Sequence, residues 1–176
     1  MQDTTINAVT PSNSGRTLVD CDVATRWDSA FIAGADKGYP NLDLVRLELW
    51  HFGHKPGHLL EYAFGSGVNT IHLAQCGHQV DAVDISNAAA QLVQGKLNLR
   101  KELVEKVNLH VLDWSAQQLP FSDAQFDYVV AVSIMSLLAS TDRIDLVLSE
   151  LSRISKPNAK IITDVNSNHS QFALDG

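Results

Sequence analysis

An apolar run, Leu59-Leu60, leads into Glu61-Tyr62-Ala63-Phe64-Gly65-Ser66-Gly67 and then into a helix-like pattern from Val68 to Cys76. That order is strand, tight glycine turn, helix N-terminus, and it constrains this chain more than any other stretch. Glycine tolerates the backbone angles of such a turn and lets a ligand lie against bare backbone, with the first helical N–H groups pointing at it. About 20 residues on, where a ribose-binding acid is expected, a second apolar stretch, Gln79 to Val83, ends in Asp84. A carboxylate there is placed to accept hydrogen bonds from the two hydroxyls of a ribose. These residues imply a site for a nucleoside-bearing cofactor.

Spacing narrows the choice. A dinucleotide fingerprint reads G-x-G-x-x-G/A, its third small residue allowing close packing around a pyrophosphate. Here Gly65-Ser66-Gly67 is followed by Val68, Asn69 and Thr70, so a β-branched residue fills that third place. An NAD-type oxidoreductase is disfavoured. The chain also carries an acid, Glu61, upstream of the turn, giving acidic-x-small-x-Gly-x-Gly. This pattern resembles motif I of the class I S-adenosylmethionine (SAM) dependent methyltransferases. In that family the acid supports the turn and helps hold the amino-acid end of the cofactor. Ala63 stands where the family usually has glycine, a mild departure provided its φ is negative.

Further features follow in the family's order. Asp84-Ile85-Ser86 resembles the family's D-x-S, which implies Asp84 on the ribose and Ile85 against the adenine. Asp113-Trp114, after Leu109-His110-Val111-Leu112, matches the acid that accepts from the adenine amino group and the neighbour that lies near the ring. Leu119-Pro120-Phe121 through Phe126-Asp127 resembles the family's L-P-F … F-D, and Lys156-Pro157-Asn158-Ala159 its K-P-G-G turn. The resemblance runs from about Leu59 to Asp164. It implies a Rossmann-like three-layer α/β/α sandwich with a mostly parallel sheet, binding SAM and releasing S-adenosylhomocysteine. The implied cofactor set is Glu61, Ala63, Phe64, Gly65, Gly67, Asp84, Ile85, Asp113, Trp114 and Ser133. Plain structural roles compete with several of these: Asp84 as a helix cap, Asp113 as an Asx-turn residue, Trp114 as core packing, Ser133 as a strand end.

A chain of 176 residues, 45% hydrophobic and 19% charged, is most simply one domain with one substantial core. Its net charge of −7 disfavours nucleic acid or an anionic membrane as partner and favours a small-molecule methyl acceptor. Two cysteines, Cys21 and Cys76, make no disulfide framework. No apolar stretch approaches the roughly 18 residues of a membrane span, and no secretory signal opens the chain. The cytoplasm is the expected compartment.

Residues 1–20 read as a mobile N-terminal arm, 21–57 as a helical lid region, and 58–176 as the SAM-binding core. Asn41 or Asp43 is expected to cap a helix over Leu42 to Phe52, and Ser86 one running to about Val104 with Ala88, Leu92, Leu99 and Leu103 inward. From Thr141, the spacing of Ile144, Val147, Leu148, Leu151 and Ile154 predicts an amphipathic helix. The family's sheet usually gains two more strands after the fifth. Only 12 residues follow Asp164, so those strands are expected to be missing or shortened, or supplied by a further C-terminal region or a partner subunit.

Methyl transfer from a sulfonium is an in-line displacement with a preactivated leaving group. It needs alignment and water exclusion, and a base only when the acceptor arrives protonated. No catalytic residue is assigned. His51, His54 and His58 form H-x-x-H-x-x-x-H, but Pro56-Gly57 breaks the helix that would align them, so no metal site is read from them. Trp27, Tyr39 and Arg46 suit either a lid over the cofactor carboxylate or lid anchoring. A catalytically silent SAM-binding domain is the main alternative function. An Asp84→Ala change is expected to weaken SAM binding with little loss of fold.

Overall fold

A computed structural model of the chain describes residues 7–8, 18–138 and 140–165. The elements in chain order are β1 (Asn7–Ala8), α1 (Leu18–Ile32), α2 (Leu42–Leu47), β2 (His58–Tyr62), α3 (Val68–Gln75), β3 (Gln79–Asp84), α4 (Asn87–Asn98), β4 (Val107–Val111), β5 (Phe126–Ala131), α5 (Thr141–Ile154) and β6 (Ser155–Thr163). The sheet order is β1-β4-β3-β2-β5-β6, every pairing parallel. Counted from β2, that is the 3-2-1-4-5 order of a doubly wound sheet, with the expected three-layer α/β/α architecture. Beyond Val165 the question of further strands lies outside the described residues.

Neighbouring strand residues point into different cores, which is why the strands read as continuous apolar runs. Leu59, Val80, Leu109 and Val130 pack with α3 and α4. Leu60, Val83, Val129 and Ala131 pack with α5. A polar staple crosses three strands at Asp81. It bonds His58 (2.5 Å), His110 (2.8 Å) and Asn108 (3.1 Å). Burial pushes the Asp81 carboxyl up, but those hydrogen bonds outweigh it and hold the group below the usual carboxylate range.

Local signals set most boundaries. Asn41 caps α2, accepting from Leu44 N–H, and the helix widens into a π-helical turn over Glu48–Phe52 that ends at Gly53, φ 64°. Ser86 caps α4 and Ser140 caps α5. The L-P-F segment is fastened to α5: Arg153 donates to the carbonyls of Leu119 and Phe121, and Glu150 accepts from Leu119 N–H. The K-P-N-A turn lies within β6, where Asn158 at φ 67° accompanies a register shift between Ser155 and Lys160.

Three expectations are corrected. Asn7–Ala8, assigned to the arm, pair with His110–Val111 at the sheet edge, and α1 begins at Leu18; the remainder of the arm is outside the described residues. Helix α4 stops at Asn98 and gives way to a 3-10 segment over Lys101–Lys106. Its inward stripe is Ala89, Ala90, Val93 and Leu97, while Leu99 is 85% exposed. Close approach explains that choice. A Cβ on Gly67 would meet Val93 Cγ2 at 2.3 Å, so α4 presents its smaller side chains to the glycine turn. The stripe predicted on α5 is inward at Val147, Leu151 and Ile154, with Leu148 turned toward solvent.

Gly67 also sits at φ 73°. Gly67→Ala is therefore expected to lose roughly 2–4 kcal/mol of stability, from overpacking and left-handed strain together, measured by urea denaturation.

Candidate functional site

The glycine turn and the end of β3 are locked together by one carboxylate. Asp84 Oδ2 accepts from Gly65 N–H (2.8 Å) and Oδ1 from Ser86 N–H (3.0 Å). Ala63 N–H and Phe64 N–H both donate to Val83 O (2.8 and 3.2 Å), so the turn folds across the C-terminal edge of β3. Burial pushes the Asp84 carboxyl up, while hydrogen bonds from the backbone of Gly65, Ser86 and Ile85 pull it down without cancelling the rise. A carboxylate offers about four acceptor positions, and the three backbone donors leave room for a hydroxyl.

Ala63 overturns the condition set for it: its φ is +64°. The family's usual glycine would adopt that angle freely, whereas alanine bears a left-handed penalty. Glu61 is buried and faces α3, accepting from Thr70 Oγ1 (2.5 Å). Asn69, whose Oδ1 accepts from Asn41 N–H (2.9 Å), also bonds Glu61 and so joins the cap of α2 to the motif. Burial pushes the Glu61 carboxyl up to about 8, against the lowering effect of the Thr70 and Asn69 bonds. Its visible work is to brace β2 against α3. The Phe64 ring is core, so only its backbone serves the turn.

A shallow cleft opens among Tyr62, Ile85, Leu112, Asp113, Leu119 and Arg143. It lies beyond the C-terminal ends of β2, β3 and β4, where doubly wound sheets bind ligands. Asp113 reaches the cleft, and its Oδ1 closes an Asx turn with Ser115 N–H (2.9 Å). Trp114 does not line the cleft; the Arg143 guanidinium covers its ring, 4.6 Å from the centroid. Ser133, φ 61°, lies exposed two residues past the end of β5 and donates from its N–H to Asp164 Oδ1 (2.6 Å).

Four contributors escaped the sequence reading. Asp28 Oδ1, on α1, accepts from Ser86 Oγ (2.6 Å) and Ala88 N–H (3.0 Å), so the N-terminal region grips the β3–α4 corner. Asp28 falls in the expected lid region, 21–57, where no role was assigned to the acid. Lys96 donates to Ser66 O (2.9 Å) and pairs with Asp36, fastening the segment after α1 to the glycine turn. Arg143 donates to the carbonyls of Trp114 (2.7 Å) and Ala116 (3.2 Å), setting the wall of the cleft. Thr70 was weighed only as an obstacle to a dinucleotide; here it is the partner of Glu61. Phe31 is the ring nearest Gly65, 3.6 Å from where a Cβ would stand. Tyr39 is exposed, and among the described residues Arg46 meets Asp43 and the Trp50 ring, so neither is brought to the turn.

The family model described as "Methyltransferase domain" matches residues 59–158. The chain belongs to that family. This is the SAM-dependent class its motifs resembled, and the cofactor that goes with the fold is SAM. A magnesium-protoporphyrin O-methyltransferase of Rhodobacter capsulatus is 36% identical over 95 residues, 54% of this chain and 39% of that protein. An uncharacterized protein of Haemophilus influenzae is 31% identical over 106 residues, 60% of this chain and 41% of that one. The chain thus spans about two fifths of the curated relatives it matches. A crystal structure of a Pyrococcus horikoshii OT3 protein superposes with a TM-score of 0.61 at 28% identity, covering 68% of this chain and 53% of that one. No helix among the described residues is long and apolar enough to cross a membrane.

Two expectations test the turn. Ala63→Gly should raise stability by about 0.5–1 kcal/mol in equilibrium denaturation, because only the left-handed angle is relieved. For Glu61 the folded pKa, about 8, exceeds the ordinary 4.5, so wild-type stability is full below the ordinary value and falls as pH rises toward 8. Glu61→Gln lacks that titration. Between pH 5 and 9 its stability should therefore gain on the wild type by about 4 kcal/mol, read from urea midpoints at both pH values.

Proposed function

We propose that this protein binds SAM across the C-terminal ends of β2, β3 and β5 and transfers its methyl group to a small-molecule acceptor by in-line displacement. One observation carries the reading: the half-buried Asp84 carboxylate clasps the Gly65 N–H beside a cleft lined by Ile85 and Asp113. In this reading Asp84 takes the ribose hydroxyls, and Ile85 packs against the adenine. Asp113 accepts from its amino group, with Trp114 setting that wall under Arg143. The backbone of Ala63, Phe64, Gly65 and Gly67 faces the methionine end together with Ser133, and Glu61 braces the turn beneath it.

SAM supplies a methyl group on a sulfonium, so the chain's own task is to hold, orient and exclude water. Two observations support a small acceptor. The chain is acidic, with a net charge of −7. The Rhodobacter relative is named for a porphyrin substrate. The short span of the relatives covered keeps a second reading in play, a SAM-binding domain that performs no transfer by itself.

Calorimetric titration with SAM and with S-adenosylhomocysteine tests binding; NAD run in parallel should give no heat. Absence of heat with both sulfur ligands sinks the proposal. Binding without methyl transfer or SAM hydrolysis selects the silent domain. Asp84→Ala should weaken SAM by at least about tenfold, the worth of a charged hydrogen bond to a hydroxyl. Because Gly65 N–H and Ser86 N–H lose their acceptor as well, that variant should also lose about 1–3 kcal/mol of stability. This replaces the expectation of an undisturbed fold.

A further inference from the structure

A second cluster of chemically active side chains sits at the opposite end of the sheet, by the N-terminal edges of β2 and β3. Glu48, His72 and Cys76 each present one ligand atom there, all within 4.8 Å of one another. Glu48 comes from the π-helical turn after α2, a kind of distortion that often aims a functional side chain. His72 and Cys76 lie four residues apart at the end of α3, hence on one helix face. Cys76 Sγ and His72 Nε2 are 3.7 Å apart. Two such atoms at tetrahedral angles on one zinc ion would be separated by about 3.6 Å, given Zn–S and Zn–N bonds of about 2.3 and 2.0–2.1 Å.

The surroundings favour a cation. Glu48 is only 2% exposed. Its described ion-pair partner is His78 Nε2 at 3.4 Å. His78 Nδ1 accepts from Gly57 N–H (3.2 Å), which places the imidazole proton on Nε2 and makes His78 a neutral donor. Among the described residues, then, no lysine or arginine pairs with this buried carboxylate. A buried carboxylate held only by neutral donors is costly. A histidine donating to a metal-bound carboxylate is a familiar outer-shell support. His78 is itself wedged against Phe52 and Tyr128, ring centroids 5.8 and 5.2 Å away, so its orientation is fixed. His72 and Cys76 are half-buried, which leaves an approach from solvent.

We propose that Glu48, His72 and Cys76 bind a divalent, borderline-soft cation, with Zn²⁺ the best fit, and that His78 positions the Glu48 carboxylate. The ion would bond the thiolate, the His72 imidazole and one carboxylate oxygen, with water in the fourth place. Binding forms the S–Zn bond and releases the thiol proton to solvent. The site pins the turn after α2 to the end of α3, away from the cleft of the cofactor. It is separate from the three histidines 51, 54 and 58: His51 and His54 are exposed, and His58 is engaged by Asp81.

The test is titration of the metal-free protein with ZnCl₂ by calorimetry and with CoCl₂ by absorption spectroscopy. The expected result is one equivalent of either metal per chain. Co²⁺ should show near-ultraviolet thiolate charge transfer together with the visible bands of a tetrahedral ion, and Zn²⁺ should raise the melting temperature. Cys76→Ser and His72→Gln, checked for folding by far-ultraviolet circular dichroism, should each abolish the Co²⁺ charge-transfer band or weaken binding at least about a hundredfold; His78→Gln should weaken it about 10- to 100-fold. Failure of the wild type to take up a stoichiometric ion overturns the proposal, whatever the variants do. Uptake that survives in the folded Cys76→Ser and His72→Gln variants overturns it too, since the metal then sits elsewhere.

Discussion

The bond from Gly65 N–H to the Asp84 carboxylate is the constraint on which the rest of the molecule turns. It joins the end of one central strand to the turn after its neighbour and so fixes the bottom of the crevice at the switch point of the sheet. Taking the carboxylate out of water is costly, and the backbone donors of Gly65, Ser86 and Ile85 are what offset that cost. The same group holds two backbone segments together and, in the proposed reading, keeps acceptor capacity for a ribose.

Around this clasp the molecule is braced from three directions. From beneath, Glu61 ties β2 to Thr70 and Asn69 on α3, deep enough that its carboxyl titrates near 8. From the N-terminal side, Asp28 and the Asp36–Lys96 pair fasten the segment around α1 to the β3–α4 corner and the glycine turn. From α5, Arg143 fixes the loop of Asp113 and Trp114 through two carbonyls and a ring face. Polar side chains here locate backbone, and the backbone in turn shapes the cleft. At the far end of the sheet, His78 locates Glu48 in the same way, beside the His72 and Cys76 of the proposed cation site.

The fold was legible because its signals are local. Apolar runs for β2 to β6, caps at Asn41 and Ser86, and the glycine turn each follow from a few adjacent residues. What escaped was decided by contacts distant in the chain. The α4 stripe was misjudged by one position because leucines at 92 and 99 dominate the pattern, while the true face is set by the space that Gly67 leaves for Val93. The condition of a negative φ at Ala63 fails for the same reason: the two bonds to Val83 O hold the turn across β3, and the residue there sits at a left-handed angle. The pairing of Asn7–Ala8 leaves no pattern in two residues.

The sequence by itself determined the order of elements, the doubly wound sheet and the positions of Gly65, Gly67 and Asp84, since strand period, turn chemistry and spacing are properties of neighbours along the chain. Only the tertiary structure decided what each polar group touches. Asp28 lies 58 residues from Ser86 and Glu48 lies 30 from His78, so their partnerships exist only once crossovers and packing bring distant elements together. Burial completes the division: Glu61 is an ordinary acid in the sequence, and only removal from water makes it a group that holds its proton near neutrality.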